Sequence, residues 1–124
     1  MAAPEIKKGL WKHNKESLSY RVLGNASMIK NPEDMVGREA TLVGTALFVE
    51  GYEESGVVKG WPVQVFEDSE TGEPRLRFLK TGQFHAPDTI VVYRQLQDGK
   101  KYKAYQLWWR SAENFAANFT PLDL

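Results

Sequence analysis

Short runs of alternating apolar and polar residues recur along the chain, and that two-residue period predicts strands. Leu18 to Gly24 alternates cleanly, as a half-exposed strand does. Ala40 to Glu50 is apolar on both faces and interrupted by Gly44, which predicts a buried strand bent or bulged at the glycine. Trp61, Val63 and Val65 alternate with Pro62 and Gln64, and Leu76 and Phe78 alternate with Arg75, Arg77 and Lys80. Between these arms lies the acidic, turn-rich segment from Glu67 to Pro74, so the pattern predicts a hairpin with one wet face on each arm. Pro62 has no N–H to give a ladder, which predicts that its arm begins at a sheet edge. A second hairpin is predicted from Ile90 to Leu96, through Gln97-Asp98-Gly99-Lys100, and back from Tyr102 to Trp109, with the Asp-Gly pair supplying positive φ.

Helical signals are few. Asn31-Pro32-Glu33-Asp34-Met35-Val36-Gly37 has a capping Asn, a proline at the first helical position, two carboxylates at the positive dipole end and a terminating glycine. One or two turns near residue 33 follow. Ser111 to Phe119 begins with a capping hydroxyl and spaces Phe115 and Phe119 four apart, predicting a short amphipathic helix that Thr120-Pro121 ends.

Composition narrows the classes. The 124 residues are 42% hydrophobic and 26% charged, which fits one domain over residues 1–124 and excludes intrinsic disorder. No run approaches the roughly 18 apolar residues of a membrane-spanning helix, so no membrane partner is expected. Sixteen basic residues balance 16 acidic ones and both signs are spread along the chain, which argues against duplex DNA. The absence of cysteine excludes disulfides, thiolate nucleophiles and Cys-ligated metals. Met1-Ala2-Ala3-Pro4-Glu5-Ile6 lacks the apolar core of a secretory signal, which makes the cytosol the expected location. Dinucleotide, Walker and nucleophile-elbow motifs are all missing.

Two stretches combine into a resemblance. Gly9-Leu10-Trp11-Lys12-His13-Asn14-Lys15 is followed by Leu18, Tyr20, Val22, Leu23 and Ala26. His85 is followed by Val91-Val92-Tyr93-Arg94, Leu107-Trp108-Trp109-Arg110 and Phe115. In order and spacing they resemble a family of short bacterial and phage proteins that carries only a domain-of-unknown-function label and folds as a small SH3-like antiparallel barrel. The resemblance covers about half the chain. It implies a mainly β fold with a barrel core at about 9–26 and 84–119, elaborated by an insertion at about 27–83 that carries a strand and a hairpin. Ser111 stands where the family favours proline. The resemblance supplies a fold and a residue cluster, not a reaction.

His13 and His85 are the only histidines, and neither has a partner at metal-binding spacing, so no metal or cofactor is expected. His85-Ala86-Pro87-Asp88 reads first as a turn with the carboxylate accepting from the ring, and second as a hydrogen-bonding group for a ligand. Adjacent Trp108 and Trp109 in a strand point to opposite faces, so one of them needs cover from this chain, a ligand or a partner. Flat rings beside Arg94 and Arg110 suit a planar phosphorylated molecule, or the arginines pair with acids across strands. Lys100-Lys101 and Lys103 read as a solvated turn that the acidic hairpin can neutralise. Trp11, His13, Tyr20, His85, Tyr93, Arg94, Trp108, Trp109 and Arg110 are the candidate ligand-binding residues, with no catalytic set.

The expected function is a non-enzymatic module for a nucleotide-like or other small anionic ligand, extending to phage-type sequestration of a cyclic nucleotide signal. The competing expectation is a protein-interaction adaptor that uses an aromatic groove or a strand edge. Single-stranded nucleic-acid binding, and hydrolysis with His85 as base oriented by Asp88, are the remaining readings. A homodimer is expected from pairing of edge strands.

Overall fold

Ile90-Val91-Val92-Tyr93 is apolar at every position, which a strand tolerates only when both its faces are covered. The computed structural model places this segment at the middle of the sheet; it describes residues 6–15, 18–28, 40–48, 62–78, 89–99 and 102–122. The elements in chain order are β1 (Gly9–His13), β2 (Ser19–Met28), β3 (Ala40–Phe48), β4 (Pro62–Asp68), β5 (Pro74–Phe78), β6 (Ile90–Gln95), β7 (Leu107–Ser111), α1 (Ala112–Asn118) and β8 (Phe119–Pro121). They form one mainly β, eight-stranded sheet in the order β5-β4-β3-β7-β6-β2-β1-β8.

Two apolar clusters lie on the two faces of β6. Ile90 and Val92 join Ala26, Ala46, Phe48, Val63, Val65, Leu76, Leu107 and Trp109 on one side. Val91 and Tyr93 join Ile6, Tyr20, Val22, Ala112, Phe115 and Phe119 on the other. Trp11 and Trp108, distant in sequence, both pack on this second cluster. Trp108 and Trp109 do point to opposite faces; the chain buries Trp109 and covers Trp108 in part. The Trp109 ring stacks on Phe48 at 3.9 Å between centroids, and Trp108 meets Tyr102 edge-on at 4.6 Å.

The sheet is mixed, and beyond the β2–β5 pairing it runs on to β1 and β8, unlike the antiparallel barrel expected. Two of its pairings are parallel: β3 with β7, where Ala46 opposes Leu107, and β2 with β5, where Ser27 opposes Arg75 and Met28 opposes Leu76. Parallel neighbours need long crossover connections. The segment at about 27–83 holds the connection from β2 to β5 and the start of that from β3 to β7, and its strands β3, β4 and β5 stand between β7 and β2. The short β2–β5 seam curls the row so that the first cluster lies inside the bend. Gly24, at φ +133°, lies beside it, and a Cβ there would sit 3.3 Å from Lys8 Cε and 3.4 Å from Pro74 Cδ.

The hairpins form with altered details. In β3 the ladder shifts register between Leu42 and Gly44, the expected bulge, with Gly44 at φ +156°. Only the second half of β3 is buried, however, and Leu42 is exposed. β4 lies between β3 and β5 and so is not an edge strand. Pro62 is its first residue, where a missing N–H costs least. Between β6 and β7 the connection is longer than a two-residue turn. Gly99 is not left-handed; among the non-glycine residues described, Tyr105 is, at φ +74°. The Gln95 side chain organises this loop by donating from Nε2 to the carbonyls of Gln97 at 2.7 Å and Tyr102 at 2.9 Å.

Helix α1 follows its sequence signals. Ser111 Oγ accepts from Asn114 N at 3.2 Å, and Phe115 and Phe119 are both buried with stacked rings 4.1 Å apart. After Asn118 the chain does not simply stop at Thr120-Pro121 but continues as β8, pairing with β1. The helix expected near residue 33, together with Trp61, His85, Asp88, Lys100 and Lys101, lies outside the described residues.

Candidate functional site

The first cluster ends in a cavity of about 530 Å³. That volume falls within the range of small-ligand pockets, about 300–1,000 Å³. Leu23, Val43 and Val65 give it apolar walls, and Leu23 and Val43 are partly buried against the first cluster. Charged groups sit around these walls: Lys8, Arg21 and Arg94, with Glu67 as the carboxylate. The site is therefore apolar in its walls and predominantly cationic among its polar groups.

Strand pairing dictates the arginines' placement. Arg94 on β6 is opposed by Arg21 on β2 and by Leu107 on β7. Directly opposed residues share a face, and like charges in that relation repel. Arg94 follows Val92 by two residues, so it continues the face that carries the first cluster. Its Nε is buried and has no hydrogen-bond partner among the described residues. A buried, unpaired donor on a cation costs more than a neutral one. Arg21 is exposed, and neither it nor Glu67 has an ion-pair partner among the described residues. Lys8 donates to the Gly72 carbonyl at 3.2 Å, which ties the β4–β5 turn to the cavity wall.

Of the residues singled out from the sequence, Arg94 lines this cavity. Arg110, expected to act beside it, belongs to the opposite face. It is opposed by Val91, and its Nε donates to Tyr93 Oη at 2.8 Å while Nη1 donates to Asn114 Oδ1 at 2.7 Å. Its guanidinium carbon also lies 4.9 Å from the Phe119 ring centroid. Tyr93 and Tyr20 are buried in that second cluster, with Tyr20 edge-on to Tyr93 at 5.4 Å. Trp11 sets its ring edge-on to Phe115 at 5.1 Å and donates from Nε1 to the Lys7 carbonyl at 3.0 Å. His13 accepts at Nδ1 from Lys15 N at 3.1 Å and rests its ring against Phe119.

Trp108 donates from Nε1 to Gln95 Oε1 at 3.2 Å, whereas Trp109 is fully buried against Phe48. Trp11, His13, Tyr20, Tyr93, Trp108 and Arg110 thus meet on one side of the sheet, with Phe115 and Phe119 among the rings packed against them. Trp109 lies on the other side.

Lys8, Arg21, Glu67 and Tyr105 are among the cavity residues that sequence reasoning missed. Arg21 sits between Tyr20 and Val22 as the wet-face residue of an amphipathic strand, and nothing local marks it. A β-bulge between Val22 and Gly24 sets its register, and only that register makes Arg94 its neighbour. Among the described residues no group of three or more His, Asp or Glu side chains is placed to hold a metal, and no helix is long and apolar enough to cross a membrane.

The fold and site define a mainly β protein with an arginine-lined, apolar-walled cavity at one end of a curled sheet. Neither family models, curated proteins nor solved structures gave a match to this chain.

Proposed function

We propose that the protein binds a small phosphate-bearing anion in this cavity and does not transform it. The observation that carries the reading is the buried, unpartnered Arg94 Nε on the strand position directly opposite Arg21. An anion placed between the two heads would accept from Arg94 Nε and offset the repulsion between the guanidinium groups. A planar guanidinium presents a donor fork that matches phosphate geometry, and it stays protonated at neutral pH. Such groups bind and orient charge, which fits capture better than proton-transfer chemistry. The apolar walls would hold the uncharged remainder of the ligand.

Isothermal titration with inorganic pyrophosphate tests this. Saturable one-site binding tighter than about 1 mM is expected, an affinity on the order of 4 kcal/mol. Arg21→Met is expected to weaken it about 3- to 10-fold, the modest loss appropriate to an exposed charge. The same variant should flatten the dependence on salt. An affinity indifferent to both salt and Arg21→Met would place the anion elsewhere.

A further inference from the structure

Tyr105 combines three properties that folding alone does not explain. Its backbone is left-handed at φ +74°, its side chain is 69% exposed, and it lines the cavity beside Arg21 and Arg94. A bulky residue in that region of backbone space is a true outlier. The local hydrogen bonds show why the conformation persists. Tyr105 N donates to the Gln95 carbonyl at 2.6 Å, and Gln95 N donates to the Gln106 carbonyl at 2.9 Å. Two residues of one segment thus oppose a single residue of β6, the arrangement of a bulge whose first position is left-handed. Glycine is the usual occupant of that position. Tyrosine brings the strain without the compensation of burial, and among the described residues its ring meets no other ring.

Bulges of this kind re-aim side chains next to binding sites. Here the bulge sets a flat, solvated ring at the wall of a cavity that already holds two guanidinium groups. We propose that Tyr105 is a stacking platform for a nucleobase, so that the cavity's ligand is a nucleotide with its phosphates toward Arg21 and Arg94 and its base on the tyrosine. The assignment rests on the anion-site reading above and adds the chemistry of the ligand's uncharged part. Stacking tolerates any base, because every base has a π-face, so purine and pyrimidine nucleotides both bind.

The test is isothermal titration of the full chain with ADP, GDP, CDP, UDP and pyrophosphate, repeated for Tyr105→Gly and Tyr105→Phe. Glycine suits the left-handed backbone, so that variant removes the ring without disturbing the fold, and an unlowered melting temperature verifies it. Nucleoside diphosphates should bind the native protein roughly 5- to 150-fold more tightly than pyrophosphate, the range one stacked base supplies. Tyr105→Gly should erase that preference while leaving pyrophosphate affinity within about twofold, and Tyr105→Phe should retain it. If pyrophosphate binds and the nucleotides bind no better, or if their advantage survives Tyr105→Gly, the stacking role is overturned and the anion site stands. If neither pyrophosphate nor any nucleotide binds, the anion-site reading has failed and takes the stacking role with it.

Discussion

Arg94→Met is expected to make the ligand-free protein more stable and to remove its affinity for phosphate-bearing ligands. The two effects share one cause. Arg94 Nε is a buried donor without a partner among the described residues, and Arg21 is the residue directly opposite on β2. An unsatisfied buried donor costs about 1–3 kcal/mol, and a like-charge cross-strand pair adds several tenths. Methionine follows much of the arginine stem, extends the apolar face that Val92 and Leu107 form, and carries no donor. Chemical denaturation should therefore show a gain of about 1–2 kcal/mol.

Binding should move the other way, because the anion loses a charged partner whose Nε is shielded from water. Truncating one member of such a pair costs roughly 2–5 kcal/mol, a loss of about 30-fold to several thousand-fold in affinity. Opposed shifts in stability and binding are the mark of a residue kept for function. A purely structural arginine would lose stability on substitution, and that result would contradict the assignment.

The second large effect concerns the core. Trp109→Ala is expected to destabilise the protein by about 3–5 kcal/mol, lowering the melting temperature by something on the order of 10–20 °C. The ring is fully buried, stacks on Phe48, and lies on the face of β7 that meets β3 through the parallel pairing of Phe48 with Trp109. Its removal would empty the place where the inserted strands join the rest of the sheet. Trp108→Ala should cost clearly less. That ring is only half-buried and loses an edge contact with Tyr102 and one hydrogen bond to Gln95. Thermal melts of the two variants check the order, and a greater loss at Trp108 would contradict the packing described.

Much of this fold is legible locally. Residues 90–96 announce a strand, Gly44 a bulge, and Ser111 with Phe115 and Phe119 a capped amphipathic helix, because each depends on neighbours a few positions away. The parallel pairings are not legible, since they depend on how β3, β4 and β5 insert between β7 and β2. The aromatic signature suits a ligand-binding set, yet rings with that spacing serve equally well to fill the space beneath α1. Sequence does not separate those outcomes, because Trp11, Tyr20, Tyr93 and Trp108 suit a wall or a core. The sequence couples Arg94 to Arg110, yet Arg94 lines the cavity while Arg110, one strand away, lies on the other face. The pleat separates those two arginines, and a register shift in β2 brings Arg21 opposite Arg94 instead.

If an anion takes up the unpartnered Arg94 Nε, the side-chain Nε–H reports on it directly. In ¹⁵N-edited spectra of the native protein, the Arg94 Nε–H resonance, identified by its disappearance in Arg94→Met, should shift progressively and saturably as pyrophosphate is added. It should also become slower to exchange with solvent once it gains an acceptor. An Arg94 Nε–H that keeps its position and exchange rate while pyrophosphate binds elsewhere, or while none binds at all, would show that Arg94 is not the anion's partner.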